Sequence, residues 1–532
     1  MASTVLLVVL LVLVTWLKRA NILFFVESVV NAVQGQAKRR KANRYLSGNF
    51  APVRKEVHTH GLKVIGSLPA GLEGVFARTG PNPEQLAGDY HWFDGDGMLH
   101  ACRFKGGKVS YCNRYVATAR LARERDLGFP IYMRFGDMRG LGGAAHALLQ
   151  QAKLALGVIS RTTGSGTANT ALVYHAKRLM ALHEGDMPYA VRVMCDGLIQ
   201  TLGRITYDGK LDHPFTAHPK IDPKTGELFF IGYEVDKQPP GVHYAGADKD
   251  GKLEFDVKVE LQEAVMMHDF AITEDYAILV DVPLVFRPQE MVKRNTLPLV
   301  YDPSRPARFG ILPKRPRTGK EVRWFELPAM MIFHVANAWQ EGDVVKLFAC
   351  CFEEFAMDME NGEVPDLMKP RLFELSFDMA SGRAESRKVS DVICEFPRID
   401  ERLTGHRSRY VYAAIMDPSR TTGAFTGVVK FDLQAAAAGR PAEAGRVEHS
   451  GARLGGECVF VPASSGSQGD DNGYLLTYVH DEASGESELV VLDARTMAAK
   501  PLARVPLPQR VPYGFHGTWV PEADVQAQAV TT

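Results

Sequence analysis

From about Leu62 onward the chain is written in short apolar and β-branched runs broken by turn signals. Glu227-Leu-Phe-Phe-Ile-Gly-Tyr233 and Tyr276-Ala-Ile-Leu-Val280 have the length and composition of strands. Between such runs stand Asp94-Gly95, Gly106-Gly107, Asp196-Gly197, Asp208-Gly209, Asp222-Pro-Lys-Thr-Gly226, Asp250-Gly251, Asp378-Met-Ala-Ser-Gly382, Asn472-Gly473 and Glu482-Ala-Ser-Gly485. Asn/Asp-Gly pairs supply the positive φ of tight antiparallel hairpins. The signals continue into the last 40 residues without a linker, so 45–532 reads as one all-β domain. A sandwich seldom grows this long, whereas a propeller adds four-stranded blades around an axis. The expected fold is a β-propeller.

Two stretches depart from this rhythm. Between Met138 and Ser160, Leu141, Ala144, Ala145, Leu148, Leu149, Ala152, Leu156 and Ile159 recur at helical spacing. The plainer expectation is a helix capping the propeller and packing inward, and the sharper one is an amphipathic patch entering lipid beside a substrate entrance. At the N-terminus, Val5 to Leu17 is almost wholly apolar, followed by Lys18-Arg19, a second apolar stretch from Ile22 to Val33 and the cluster Lys38-Arg39-Arg40-Lys41. The thirteen residues from Val5 to Leu17 fall short of the roughly 20 that span a bilayer. The charges follow the apolar run and no Ala-x-Ala site appears, which disfavours a secretory signal, and the scarcity of serine disfavours a transit peptide. Residues 1–44 are read as a membrane-associating segment.

Composition narrows the function. Lys+Arg and Asp+Glu both number 62, so no net field favours nucleic acid. The seven cysteines form no Cys-x-x-Cys pair and no disulfide framework, which fits a reducing compartment, with the cytosolic side favoured and the plastid as alternative. Asp94-Gly-Asp-Gly97 lacks the later ligands of a calcium loop and reads as a turn.

The chemistry lies in four scattered histidines: Phe-Thr-Ala-His218-Pro, Met-Met-His268-Asp-Phe, Ile-Phe-His334-Val-Ala and Tyr-Gly-Phe-His516-Gly. Taken singly, a buried imidazole more often just bonds a backbone carbonyl. In a propeller, however, the innermost strands line one axis, and four blades can aim four imidazoles at one metal. Imidazole suits iron, copper, nickel and zinc alike. Four histidines would close a tetrahedral zinc, whereas an octahedral Fe(II) keeps two neighbouring positions for dioxygen or solvent. Neutral ligands leave the ion's charge uncompensated, so carboxylates should accept their Nδ1–H groups. Glu184, Glu395 and Glu457, each acidic within an apolar stretch, are the candidates. His91, His100, His175, His183, His213 and His480 flank turns or strands and are taken as structural or surface groups, while Trp92, Phe93 and Trp339 are taken as core before tunnel wall.

Further motifs run in one order along the chain: Tyr45-Leu-Ser-Gly-Asn-Phe-Ala-Pro-Val53, Gly80-Pro-Asn-Pro83, Tyr90-His-Trp-Phe-Asp-Gly-Asp-Gly-Met98, Gly166-Thr-Ala-Asn-Thr-Ala-Leu-Val-Tyr174, Arg323-Trp-Phe-Glu-Leu-Pro328 and Ile332-Phe-His-Val-Ala-Asn-Ala-Trp339. With the histidine contexts, they closely resemble the carotenoid cleavage oxygenases, nearest the plant type that cuts at 9,10 and 9′,10′. The resemblance implies a seven-bladed propeller with a helical dome, Fe(II) held by His218, His268, His334 and His516, and Glu184, Glu395 and Glu457 behind them. It implies that both terminal strands share the closing blade. It also implies O₂-dependent scission of a conjugated C=C bond in a carotenoid or apocarotenoid, without flavin or nicotinamide. Rival readings on the same site are a stilbene-cleaving dioxygenase and a retinoid-type isomerohydrolase, and a metal-free propeller scaffold is the rival of another class.

Overall fold

The computed structural model describes residues 43–86, 89–160, 162–357, 365–417, 419, 424–463 and 469–531. Seven antiparallel sheets follow one another around an axis, which makes the body a seven-bladed β-propeller. Blade 1 carries Gly74–Pro81, Gly97–Lys105 and Lys108–Tyr115, blade 2 runs from Ala171–His175 to Ile199–Arg204, and blade 3 from Lys220–Ile221 to Leu253–Glu260. Blade 4 starts at Phe270–Ile272, blade 5 at Met331–Glu341, blade 6 at Cys394–Arg398 and blade 7 at Val459–Pro462. The expected closure is present. Gly517–Pro521 pairs with Gly74–Pro81 inside blade 1, and Ile65–Gly66 pairs with Ala503–Pro506 at the rim of blade 7.

The strand patterns follow from this stacking. An inner strand is buried on both faces, so alternate residues serve different cores. In Leu228–Tyr233, Leu228 and Phe230 pack toward blade 2, while Phe229 and Ile231 pack toward blade 4. That is why such runs are continuously apolar. Outer strands have one wet face, and Leu253–Glu260 alternates half-buried and exposed positions. Seven inter-blade cores result, of which the one between blades 4 and 5 includes Phe309, Phe325, Leu347 and Phe377.

Most of the predicted turns carry positive φ, including Gly226 at +72°, Gly251 at +86° and Gly382 at +81°. Gly473 differs: it opens a strand, and a Cβ there would stand 2.4 Å from the Val461 carbonyl oxygen, so close approach of chains is what requires glycine. All seven cysteines are free and only Cys195 is exposed, in line with a core role for most of them.

Helices Ala119–Leu127 and Gly140–Ala155 lie in the connection from blade 1 to blade 2, and Pro288–Arg294 interrupts blade 4. The inward-packing expectation for the 138–160 helix is corrected. The face of Gly140–Ala155 that turns inward bears Gly140, Gly143, His146 and Lys153, whereas Leu141 is 77% and Leu148 73% exposed. The glycines let the helix approach Pro288–Arg294, since a Cβ on Gly143 would stand 3.0 Å from the Met291 sulfur. Lys153 Nζ donates to the Ile131 carbonyl at 2.6 Å. Close helix contact and this buried cation claim the inner face, which leaves leucines outside. No helix among the described residues is long and apolar enough to cross a membrane. The apolar N-terminal run lies outside the described residues.

Candidate metal centre

The four histidines meet on the axis, their ligand nitrogens all within 4.8 Å of one another. His516 directly precedes the innermost strand of blade 1, His218 and His268 stand one residue short of those of blades 3 and 4, and His334 lies early in that of blade 5. His218 Nε2 and His268 Nε2 are 3.0 Å apart. Two imidazoles at right angles, each about 2.1 Å from one ion, would stand about 3.0 Å apart. Ring centroids from His218 to His516 and from His334 to His516 are separated by 4.5 and 4.7 Å.

A glutamate stands against the outer nitrogen of three of these rings. Glu184 Oε2 lies 3.1 Å from His268 Nδ1, Glu395 Oε2 2.6 Å from His334 Nδ1 and Glu457 Oε1 2.8 Å from His516 Nδ1. Each carboxylate thereby accepts the Nδ1 proton and leaves the Nε2 lone pair facing the axis. His334 Nε2 is buried there without a protein partner. An orphaned buried nitrogen within a cluster of lone pairs is what a cation would satisfy, so the donor set fits a divalent transition metal.

Burial opposes charge at this centre. His218 is held well below the usual imidazole range by burial, reinforced by the neighbouring histidines. Burial likewise brings His516 down to about 4, although Glu457 opposes it. In Glu457 burial acts upward, but Arg398 and His516 outweigh it and hold the acid at about 2. Burial would lower His268, and Glu184 reverses the direction. Three carboxylates and the Arg398 guanidinium, 3.5 Å from Glu457, would neutralise a divalent ion.

Local backbone irregularity aims these groups. The pairing of Met331–Glu341 shifts register on both sides of Val335, and that of Cys394–Arg398 shifts between Glu395 and Arg398. Bulges re-aim side chains in this way. Phe396 sits at φ +54°, a costly conformation for an aromatic residue, with its ring 5.1 Å from His334 and 5.0 Å from His516.

Asp269 is a positioning residue that the sequence reading missed. One oxygen accepts from Lys220 Nζ and Phe270 N, both at 2.7 Å, and the other from Val335 N at 2.8 Å. It therefore ties together the strands that carry His218, His268 and His334. The available signal was a buried acid directly after a ligand. Of the residues weighed as tunnel walls, Trp339 stacks on Phe348 at 4.6 Å in the core between blades 5 and 6, and Trp92 packs in a cluster with Tyr45, Tyr90 and Phe515. Phe93 is half-buried against Phe515. Asp94 accepts from the backbone of Phe135 and Gly136 and so holds a connection rather than an ion.

A cavity of about 370 Å³ extends from His218, His334 and His516 along the innermost strands. Its wall includes Lys220, Asp269, Arg398 and Arg402, which differs from the apolar tunnel expected for a polyene. On another side the rings of Phe333, Phe355 and Tyr301 step outward from His268 at 5.7, 5.3 and 6.4 Å.

A propeller that gathers four histidines and three carboxylates on its axis defines a protein with a histidine-built candidate metal centre. Residues 50–521 match the retinal pigment epithelial membrane protein family, and the chain belongs to that family. It is 46% identical over 504 residues to a carotenoid 9,10(9′,10′)-cleavage dioxygenase of Arabidopsis thaliana, with 91% of each chain covered. It is also 46% identical over 506 residues to such an enzyme of Crocus sativus, covering 92% of this chain and 91% of the relative. Among solved structures, the lignostilbene dioxygenase of Pseudomonas brassicacearum is 30% identical with a TM-score of 0.78, over 90% of this chain and 98% of the other. Two Arabidopsis relatives at 38% identity, a 9-cis-epoxycarotenoid dioxygenase and a probable carotenoid cleavage dioxygenase, are named chloroplastic.

Proposed function

We propose that this protein is an Fe(II)-dependent dioxygenase that cleaves a conjugated C=C bond of carotenoids or apocarotenoids at the 9,10 and 9′,10′ positions. The observation that carries the reading is the inward set of four Nε2 atoms, three of them backed by carboxylates. The plant relatives support the substrate class and bond position. Iron bound by His218, His268, His334 and His516 would supply dioxygen binding and activation. Glu184, Glu395 and Glu457 hold the Nδ1 protons, Asp269 fixes the spacing of three blades, and Phe333 and Phe396 exclude water beside the ligands. The steps of Phe333, Phe355 and Tyr301 offer an apolar approach for a polyene that has little to hydrogen-bond.

Such a substrate is dissolved in lipid, and the exposed leucine face of Gly140–Ala155 supports a docking role at a membrane surface. Residues 1–44 would add a second attachment, and a protein lacking 1–40 should leave vesicles in a flotation assay while keeping its iron. The names of the 38% relatives support a plastid setting above the cytosolic side.

Incubating iron-loaded protein in air with C40 carotenoids and shorter apocarotenoids, then identifying fragments by mass, tests the reading. Paired carbonyl products at the 9,10 position support it, and intact substrate with fully loaded iron overturns it. The likeness to a lignostilbene dioxygenase motivates one rival: faster turnover of a phenolic stilbene than of any carotenoid would favour that activity. Absence of label from ¹⁸O₂ in the products would favour isomerohydrolysis.

A further inference from the structure

Away from the axis, His213, His243 and Asp256 bring two imidazoles and a carboxylate together on blade 3. His243 and Asp256 stand on one face of the neighbouring strands Gly241–Ala247 and Leu253–Glu260, where His243 opposes Lys258 and Asp256 opposes Ala245. His213 comes from the segment that leads into the blade. His213 Nε2 is 3.0 Å from Asp256 Oδ2, and His243 Nδ1 is 2.9 Å from Asp256 Oδ1. The two rings stack at 4.2 Å with planes 29° apart.

The sheet is cut to admit this ring. Gly232 lies opposite His243, and a Cβ there would stand 1.9 Å from the Pro214 carbonyl oxygen and 2.4 Å from His213 Nδ1. His213 Nδ1 is 2.7 Å from the Pro214 carbonyl, so it must donate. In a neutral ring that leaves the Nε2 lone pair facing a carboxylate oxygen, an arrangement that requires a cation between them. A proton on His213 is one such cation. A divalent metal shared by both rings is the other, and it would draw both imidazoles toward one carboxylate. Donor pairs 2.9 and 3.0 Å apart also suit ligands about 2.1 Å from a single ion.

We propose that His213, His243 and Asp256 form a second metal site, which takes a divalent first-row ion of the zinc class with solvent completing its shell. Its occupation would clamp the segment from His213 to His218. His218 is the axial histidine that no carboxylate holds among the described residues, so an anchor five residues upstream restrains the ligand with the least support. This inference is independent of which polyene is cleaved.

The test equilibrates the iron-loaded protein with zinc chloride, removes free metal by gel filtration and measures both metals by mass spectrometry. About one zinc per chain beside unchanged iron is expected, with anomalous scattering at the zinc edge between these three residues. The His243→Ala and Asp256→Asn variants should lose the zinc and keep the iron, and retained iron reports an intact fold. Zinc that does not bind, binds equally to both variants, or displaces iron overturns the site and leaves His213 held by a proton. The clamp has its own readout: zinc should slow iron release to a chelator several-fold in the parent and leave release from His243→Ala unchanged. Equal release with and without zinc in the parent overturns the clamp.

Discussion

The axis and the helix Gly140–Ala155 break the same rule in opposite directions. At the axis, three imidazoles and two carboxylates are buried, and His218 and Glu184 half-buried, among seven apolar cores. On the helix, Leu141 and Leu148 face outward while His146 and Lys153 are buried. Burying polar groups is costly unless they are paired, and exposing leucines forgoes burial that other helices obtain. The axis satisfies its polar groups through the three carboxylate pairs and, in our reading, a metal. Nothing among the described residues covers Leu141 and Leu148, which directs attention to an apolar phase outside them. A buried polar cluster and an exposed apolar face thus both specify what the protein meets.

The comparison breaks most severely at the axis. His334→Ala removes the nitrogen that has no other partner, and we expect iron to be lost and cleavage to fall by more than about 1,000-fold, measured as metal content and product per chain. Normal iron and turnover in this variant would remove the reading altogether. Glu395→Gln keeps the shape and removes the charge behind His334, with an expected loss of about 10- to 100-fold in iron affinity. Glu184→Gln should cost less, because its carboxylate is more exposed and lies 3.1 Å from its histidine, against 2.6 Å for Glu395. Equal losses would show that charge alone, rather than burial and distance, governs the effect.

Much of this centre was legible in the chain, and the reason is local. Each histidine and glutamate stands in a short, distinctive apolar context, and a propeller offers one axis where such residues meet. The bulges beside Val335 and Glu395 were not legible, because a shift of register leaves the alternation of residue types almost unchanged. Asp269 was hidden by its neighbour, having been read as part of the His268 motif. His213 was read as a structural or surface group, and its contact with Asp256, 43 residues away across a sheet, was not legible because no pattern specifies that pairing. Helical periodicity located Gly140–Ala155 but not its facing, since period alone does not say which side the rest of the fold will claim.

The helix half of the comparison is tested by charge. Leu141→Glu with Leu148→Glu should weaken binding to carotenoid-loaded vesicles by about 30- to 1,000-fold, since each leucine contributes about 1 to 2 kcal/mol on partial burial in lipid. Cleavage of substrate in detergent micelles should stay within about twofold of the parent. Loss of both activities would mean that the leucines support the fold, and unchanged vesicle binding would mean that the exposed face has another use.

The smallest effect concerns a half-buried imidazole away from the axis. His91 caps the Trp92–Asp94 turn by accepting from Phe93 N at 3.2 Å, a role that needs a bare Nδ1. Burial, with Arg44 and Arg139 adding to it, holds the ring down at about 3. The folded value lies below the unfolded one, so the native state binds fewer protons. Stability is therefore fully present above the unfolded value near 6.5 and is lost progressively as pH falls toward 3. At pH 5 the loss attributable to this residue should be on the order of 1 to 2 kcal/mol. His91→Gln offers a neutral acceptor that does not titrate, so its thermal stability should fall less steeply between pH 6.5 and 5 than that of the parent. Parallel profiles would mean that the folded state does not hold His91 below its unfolded value. A flatter profile would show that the fold holds this one imidazole neutral at pH 5 without a metal.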